Sequence, residues 1–149
     1  MRQYLNLFAH DHARNLRILE YLESKDKPNE EIVKLFNHVI SAKNLWYQRV
    51  MRKPVTSIVW PDWGLEVLRE KTEENHREWE DFIKQLDESM LNLSLHYKNS
   101  RGTEFRRSIG TILDHLLMHG AHHRGQVAML IRNEGGEPPA MDYIHYFEE

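Results

Sequence analysis

The 149-residue sequence predicts an all-α fold of four helices, with one short extended or hairpin excursion before the last. Three observations carry this expectation. Apolar residues recur at helical spacing in four stretches, helix start and stop signals separate those stretches, and no internal repeat or low-complexity linker divides the chain. A chain of this length is read as a single domain, residues 1–149, able to bury one sizeable core.

The first helix is predicted from about Tyr4 to Ser24, with Leu5, Phe8, His12, Leu16, Leu19 and Leu22 along one side. Lys25 to Asn29 breaks it. Asn29 is a good cap for the next helix, and Glu30 and Glu31 suit the positive end of its dipole. This second helix extends to about Arg52 and buries Ile32, Leu35, Val39, Ala42, Trp46 and Val50. Lys53 to Asp62 holds two prolines and reads as a surface loop. The third helix spans roughly Trp63 to Glu88 and buries Leu65, Leu68, Trp79, Phe82 and Leu86. In LNLSLHYKNSRGTEF, apolar residues alternate and lead to a turn at Gly102, the mark of the extended excursion. The fourth helix runs from about Thr103 to Asn133, stopped by Gly135-Gly136 and Pro138-Pro139.

Composition narrows the function. Charged residues make up 29% of the chain with a net charge of -3, so no broad basic face for nucleic acid is expected. The absence of cysteine excludes disulfides, thiol nucleophiles and thiolate metal sites, leaving nitrogen and oxygen as the only metal donors. The N-terminal MRQYLNLFAHDHARN is too polar for a signal peptide and no apolar run is long enough to span a bilayer, so a cytoplasmic location is expected.

The run MHGAHHRGQ concentrates His119, His122 and His123 in five positions. At about 100° per residue, His123 falls inside the apolar face defined by Phe105, Ile109, Ile112, Leu116, Val127, Leu130 and Ile131 and His119 at its edge, whereas His122 lies about 60° beyond it. Two imidazoles at i, i+4 can share one cation, and a third donor must then come from elsewhere. His38 supplies a candidate, at the margin of the apolar face of the second helix between Leu35 and Ala42. Three neutral imidazoles leave a bound ion dipositive and a coordination position open. Arg49 and Glu31 project along the same line as His38, which makes Arg49 a candidate for substrate contact. His10, His76, His96 and His145 are assigned to the solvated surface.

HLLMHGAHHRGQV, the closing GGEPPAMDYIHYF, and LFNHVISAKNLWYQR together resemble the DinB family of metal-binding four-helix bundles, in the expected order over nearly the whole chain. The resemblance implies an up-down-down-up bundle, metal ligands at His38, His119 and His123, a nickel or zinc-like divalent ion, and a homodimer. One branch of the family uses its metal to activate a low-molecular-weight thiol, such as bacillithiol or mycothiol, for transfer.

His12 and Asn15, one turn apart, match family positions near the pocket mouth and are candidates for substrate contact. The carbonyl of Gln126 is close enough in sequence to accept the second N–H of an imidazole ligand, and Arg124 is a further supporting or packing group. Gly120 and Gly125 each cost a helix roughly 1 kcal/mol relative to Ala, which close approach of another helix would explain. Tyr4, Leu7, Tyr21, Trp63 and Trp79 exceed one apolar stripe and suggest a two-fold dimer surface. Two functional classes stay open: a metal-dependent thiol transferase or hydrolase acting on a small molecule, and a non-enzymatic stress- or metal-responsive protein with a structural ion.

Overall fold

The computed structural model describes residues 1–99 and 101–148. Ser100, in the expected turn, and Glu149, the end of the expected domain 1–149, lie outside the described residues. The elements are α1 (Arg2–Glu23), α2 (Glu30–Val50), α3 (Leu65–Gln85), β1 (Ser94–Lys98), β2 (Glu104–Ser108) and α4 (Ile109–Asn133), with short 3-10 turns at Glu88–Asn92 and Tyr143–Glu148. Among the described residues no helix is long and apolar enough to cross a membrane.

Local chemistry accounts for the element boundaries. The Asn29 side-chain oxygen Oδ1 accepts from the backbone N–H of Glu31 at 2.9 Å and of Ile32 at 3.4 Å, which starts α2 where the sequence places it. The last helix begins later than Thr103. Residues Glu104–Ser108 instead pair antiparallel with Ser94–Lys98, in register from Ser94↔Ser108 to Lys98↔Glu104. Phe105, expected on the helical apolar face, stacks on Tyr97 with ring centroids 5.6 Å apart. Ser108 is the true cap, its hydroxyl oxygen accepting from Thr111 N–H at 3.1 Å. Cross-strand pairing gives residues 104–108 backbone partners that a helical reading cannot anticipate.

Helix α1 packs against α3 and α4, and α2 packs against the same two. The core has two apolar halves. One gathers Ile18, Leu19 and Leu22 of α1, Ile32, Phe36, Val39 and Ile40 of α2, Leu68 of α3, and Val127 and Ile131 of α4. The other gathers Phe8, Tyr47, Trp79 and Ile83 with Leu95, Ile109, Ile112, Leu113 and Leu116. On every helix a buried polar stretch separates the two contributions: Asp11 and Asn15 on α1, Ser41 and Lys43 on α2, Thr72 and Asn75 on α3, Arg124 on α4. The buried face of α2 is wider than its sequence suggests. Phe36, Ile40 and Tyr47 are buried while Leu35, Ala42, Trp46 and Val50 are only half-buried, because α2 is enclosed by both α3 and α4.

Buried polar groups need partners. The Lys43 ammonium lies 2.6 Å from Asp11 Oδ2, and Arg124 Nη1 donates to Asp11 Oδ1 and, at 3.1 Å, to Asn15 Oδ1. Asn15 in turn donates to Asp11 Oδ2 at 3.2 Å. Burial alone would raise the Asp11 pKa, but the charges and hydrogen bonds of Lys43 and Arg124 outweigh it and hold the carboxyl below its usual range. Gly120 makes room for this pair, since a Cβ there would sit 2.7 Å from Asp11 Oδ1 and 3.0 Å from Arg124 Nη1. The expectation of close approach fails at Gly125, where a Cβ would meet nothing within 4 Å and nothing in the structure explains the glycine.

Asp11→Ala leaves two buried cations without their carboxylate, and denaturant unfolding should show a loss of about 3–5 kcal/mol. Glu23→Ala, which breaks the exposed pair with Arg69, should cost no more than about 1 kcal/mol. Because the folded-state pKa of Asp11 is lowered, its contribution is complete above the unfolded carboxyl value of about 3.9 and is lost as pH falls toward the folded value. Stability measured from about pH 6 to pH 2 should therefore fall more steeply in the native protein than in Asp11→Asn.

Candidate metal centre

Helix α4 presents His119 and His123 one turn apart, and α2 presents His38 opposite them. Their Nε2 atoms converge, His38 to His119 at 3.2 Å and His123 to His119 at 3.1 Å. The opposite ring nitrogens of two of the three are occupied. His38 Nδ1 lies 2.9 Å from the Val59 carbonyl oxygen and His123 Nδ1 lies 2.6 Å from Gln126 Oε1. With both of those acceptors being carbonyl oxygens, each Nδ1 must carry the proton, and the Nε2 lone pairs of His38 and His123 point into the cluster.

Three neutral rings in this arrangement hold at most one proton among their facing nitrogens, that of His119. One lone pair therefore faces the cluster without a donor. A cation resolves that conflict. Nitrogens placed about 2.1 Å from a tetrahedral ion are roughly 3.4 Å apart, close to the separations found here. His38, His119 and His123 form a group that can hold a metal ion, and among the described residues no fourth His, Asp or Glu joins them. The His119 pKa is lowered to about 4, first by burial and then by its neighbours His123, His38, His115 and His122. His123 is lowered as well, by burial foremost, with Gln126 opposing. Both rings are thus in the neutral form that ligates metals at neutral pH.

Sequence reasoning missed the loop between α2 and α3 as part of this centre. Besides the Val59 carbonyl, the Trp60 ring stacks on His38 with centroids 4.0 Å apart and 13° between planes. The Ile58 carbonyl accepts from the Ser41 hydroxyl, which pins the loop to α2 a second time. A backbone carbonyl carries no side-chain signature, so no pattern in the sequence could have marked it.

The other candidates lie elsewhere. His12 stacks flat on His76, ring centroids 3.9 Å apart and 2° between planes, on the seam between α1 and α3, with its Nε2 3.5 Å from Glu73. Burial first, and then His76 and Lys43, lower its pKa to about 4. Asn15 is buried within the Asp11–Arg124 pair. Arg49 lies over the rings of Trp46 and Tyr97. Gln126 caps His123 Nδ1, and His122 is exposed. His10, assigned to the surface by sequence, is buried instead. The C-terminal segment folds back over α1 and sets Tyr143 and Tyr146 edge-on to its ring at 5.0 and 5.3 Å. His76 is half-buried through its stack on His12, while His96 and His145 are exposed. Trp79, counted among the surplus apolar residues, is fully buried against Phe8, Tyr47 and Phe82 and gives no support to a dimer surface.

The fold and the cluster define a class: four helices and a hairpin, with three imidazoles meeting between the second helix and the last. The sequence model of the DinB family matches residues 10–149, nearly the whole chain, and the protein belongs to that family. A search of curated proteins found no match.

Long-range ¹H–¹⁵N spectra of the chelator-treated protein should place the proton of His38 and of His123 on Nδ1. Nε2–H tautomers on both rings would contradict the assigned hydrogen bonds.

Proposed function

We propose that the protein binds one divalent ion through His38, His119 and His123, with zinc or nickel as the ion, and works as a metal-dependent enzyme of the thiol S-transferase or hydrolase type. The observation that carries this reading is the convergence of three imidazole Nε2 atoms with no fourth protein donor among the described residues. A structural zinc site is normally closed by four protein ligands, whereas a catalytic one keeps a position for water or substrate. When bound, such an ion supplies Lewis acidity that lowers the pKa of a water or a thiol and favours the nucleophilic anion. The chain's own residues orient the ligands: the Val59 carbonyl and the Gln126 side chain fix the tautomers of His38 and His123, and the Trp60 ring holds His38 in plane. A low-molecular-weight thiol is the proposed co-substrate.

The up-down-down-up order fits the way each helix feeds the core. From N- to C-terminus, α1 and α4 pass from the Trp79 half to the Ile131 half, and α2 and α3 pass the other way. A homodimer is proposed as well. Sedimentation at micromolar concentration should report twice the 17.9 kDa chain mass, and a clean monomer would count against it.

Metal analysis of untagged protein should find one divalent ion per chain. His38→Ala, His119→Ala and His123→Ala should each lose it, while His122→Ala keeps it. Gln126→Leu should weaken binding by about 10- to 100-fold. Thiol-transfer and ester-hydrolysis assays on the loaded protein then separate the two reactions, and inactivity in both would overturn the catalytic reading.

A further inference from the structure

The balanced total charge conceals a local segregation. Where α2 ends, Arg49, Arg52, Lys53 and Val55 face β1 across a cavity of about 360 Å³, closed on the other side by Ser94 to Lys98. Among the described residues four cationic side chains line it, with His96, and no Asp or Glu does. This happens in a chain whose net charge is -3.

Neither arginine has a carboxylate partner among the described residues, and Arg49 is held in place by other groups. Arg49 is sandwiched between Trp46 and Tyr97, its guanidinium carbon 4.8 and 4.6 Å from the ring centroids, and its Nη2 donates to the Lys98 carbonyl at 3.1 Å. Arg52 occupies the turn that ends α2 with a left-handed φ of 53°, a conformation ordinarily given to glycine. The Arg52 backbone N–H donates to the Arg49 carbonyl at 3.1 Å and that of Lys53 to the Gln48 carbonyl at 2.8 Å, so this conformation closes the helix and sets where the Arg52 side chain leaves it. Among the described residues no carboxylate lies within ion-pair distance of either arginine. Both lysines have carboxylate partners, Lys53 with Glu78 at 3.9 Å and Lys98 with the exposed Glu104 at 3.1 Å, so the unpaired charge of the cavity is that of the arginines.

We propose that this cavity is a binding site for the acid group of a small molecule, a carboxylate or a phosphate. The planar forks of Arg49 and Arg52 match the oxygens of either group, and the lysines add charge at the rim. The inner wall of the cavity continues toward the triad: Trp46 contacts His115 at 5.7 Å between centroids, and His115 contacts His119 at 5.6 Å. The site does not depend on whether the triad holds an ion.

The test uses the full chain treated with chelator, so that no ion at the triad can take up the anion. Inorganic phosphate and succinate are titrated separately, following backbone ¹H–¹⁵N shifts. Saturable shifts confined to residues 49–53 and 94–98 are expected with at least one of them, and which anion gives them assigns the acid group. Arg52→Gly removes the charge and relieves the strained φ without endangering the fold, and it should weaken binding by about tenfold or more. His119→Ala should bind as the native chain does. No saturable shift with either anion, or unchanged binding in both Arg52→Gly and Arg49→Gln, would overturn the proposal.

Discussion

The Asp11 carboxylate is the point to which three helices are tied. It lies in α1, takes the ammonium of Lys43 from α2 and the guanidinium of Arg124 from α4, and does so where the apolar core is interrupted. Rotating α4 about its axis would strand at least one buried charge, so the pair fixes the rotation of that helix. Arg124 follows His123 directly and stands about 100° from it around the axis. With Arg124 held toward α1, His123 and His119 are aimed at α2. A buried ion pair of this kind adds little net stability over apolar residues of the same volume, because desolvation offsets the attraction. Its effect is felt in orientation: it sets the phase on which the imidazole cluster relies.

Gly120 belongs to the same constraint. It weakens the helix between His119 and His123, yet any side chain there would collide with the Asp11 carboxylate. Local helix stability yields here to a long-range pairing between α1 and α4, and the glycine is intelligible only once the carboxylate is in view.

What could be read from sequence follows the range of the interaction. His119 and His123 share a face because they share a helix, and Asn29 caps α2 through its own neighbours. Both were legible for that reason. The start of α4 was not, because residues 104–108 are claimed by a partner strand rather than by local propensity. Asp11, His10 and the Val59 carbonyl owe their environments to segments distant in sequence, and helical periodicity has no access to them. The cationic cavity was hidden for a further reason: its charges come from residues 49–53 and 98, and the near-neutral total masks their meeting.

The loop that leans on His38 does so through the carbonyls of Ile58 and Val59, groups that every amino acid possesses. Ile58, Val59 and Trp60 meanwhile turn much of their side chains to solvent, Ile58 to 67%. At Ile58 and Val59 the orientation of the imidazole and the chemistry of the rim are thus assigned to different parts of the same residues, whereas at Trp60 the ring itself stacks on His38. The side chains of Ile58 and Val59 can be exchanged while the imidazole keeps its tautomer. That separation leaves the outer surface of the loop free to vary at two positions without disturbing the imidazole it supports.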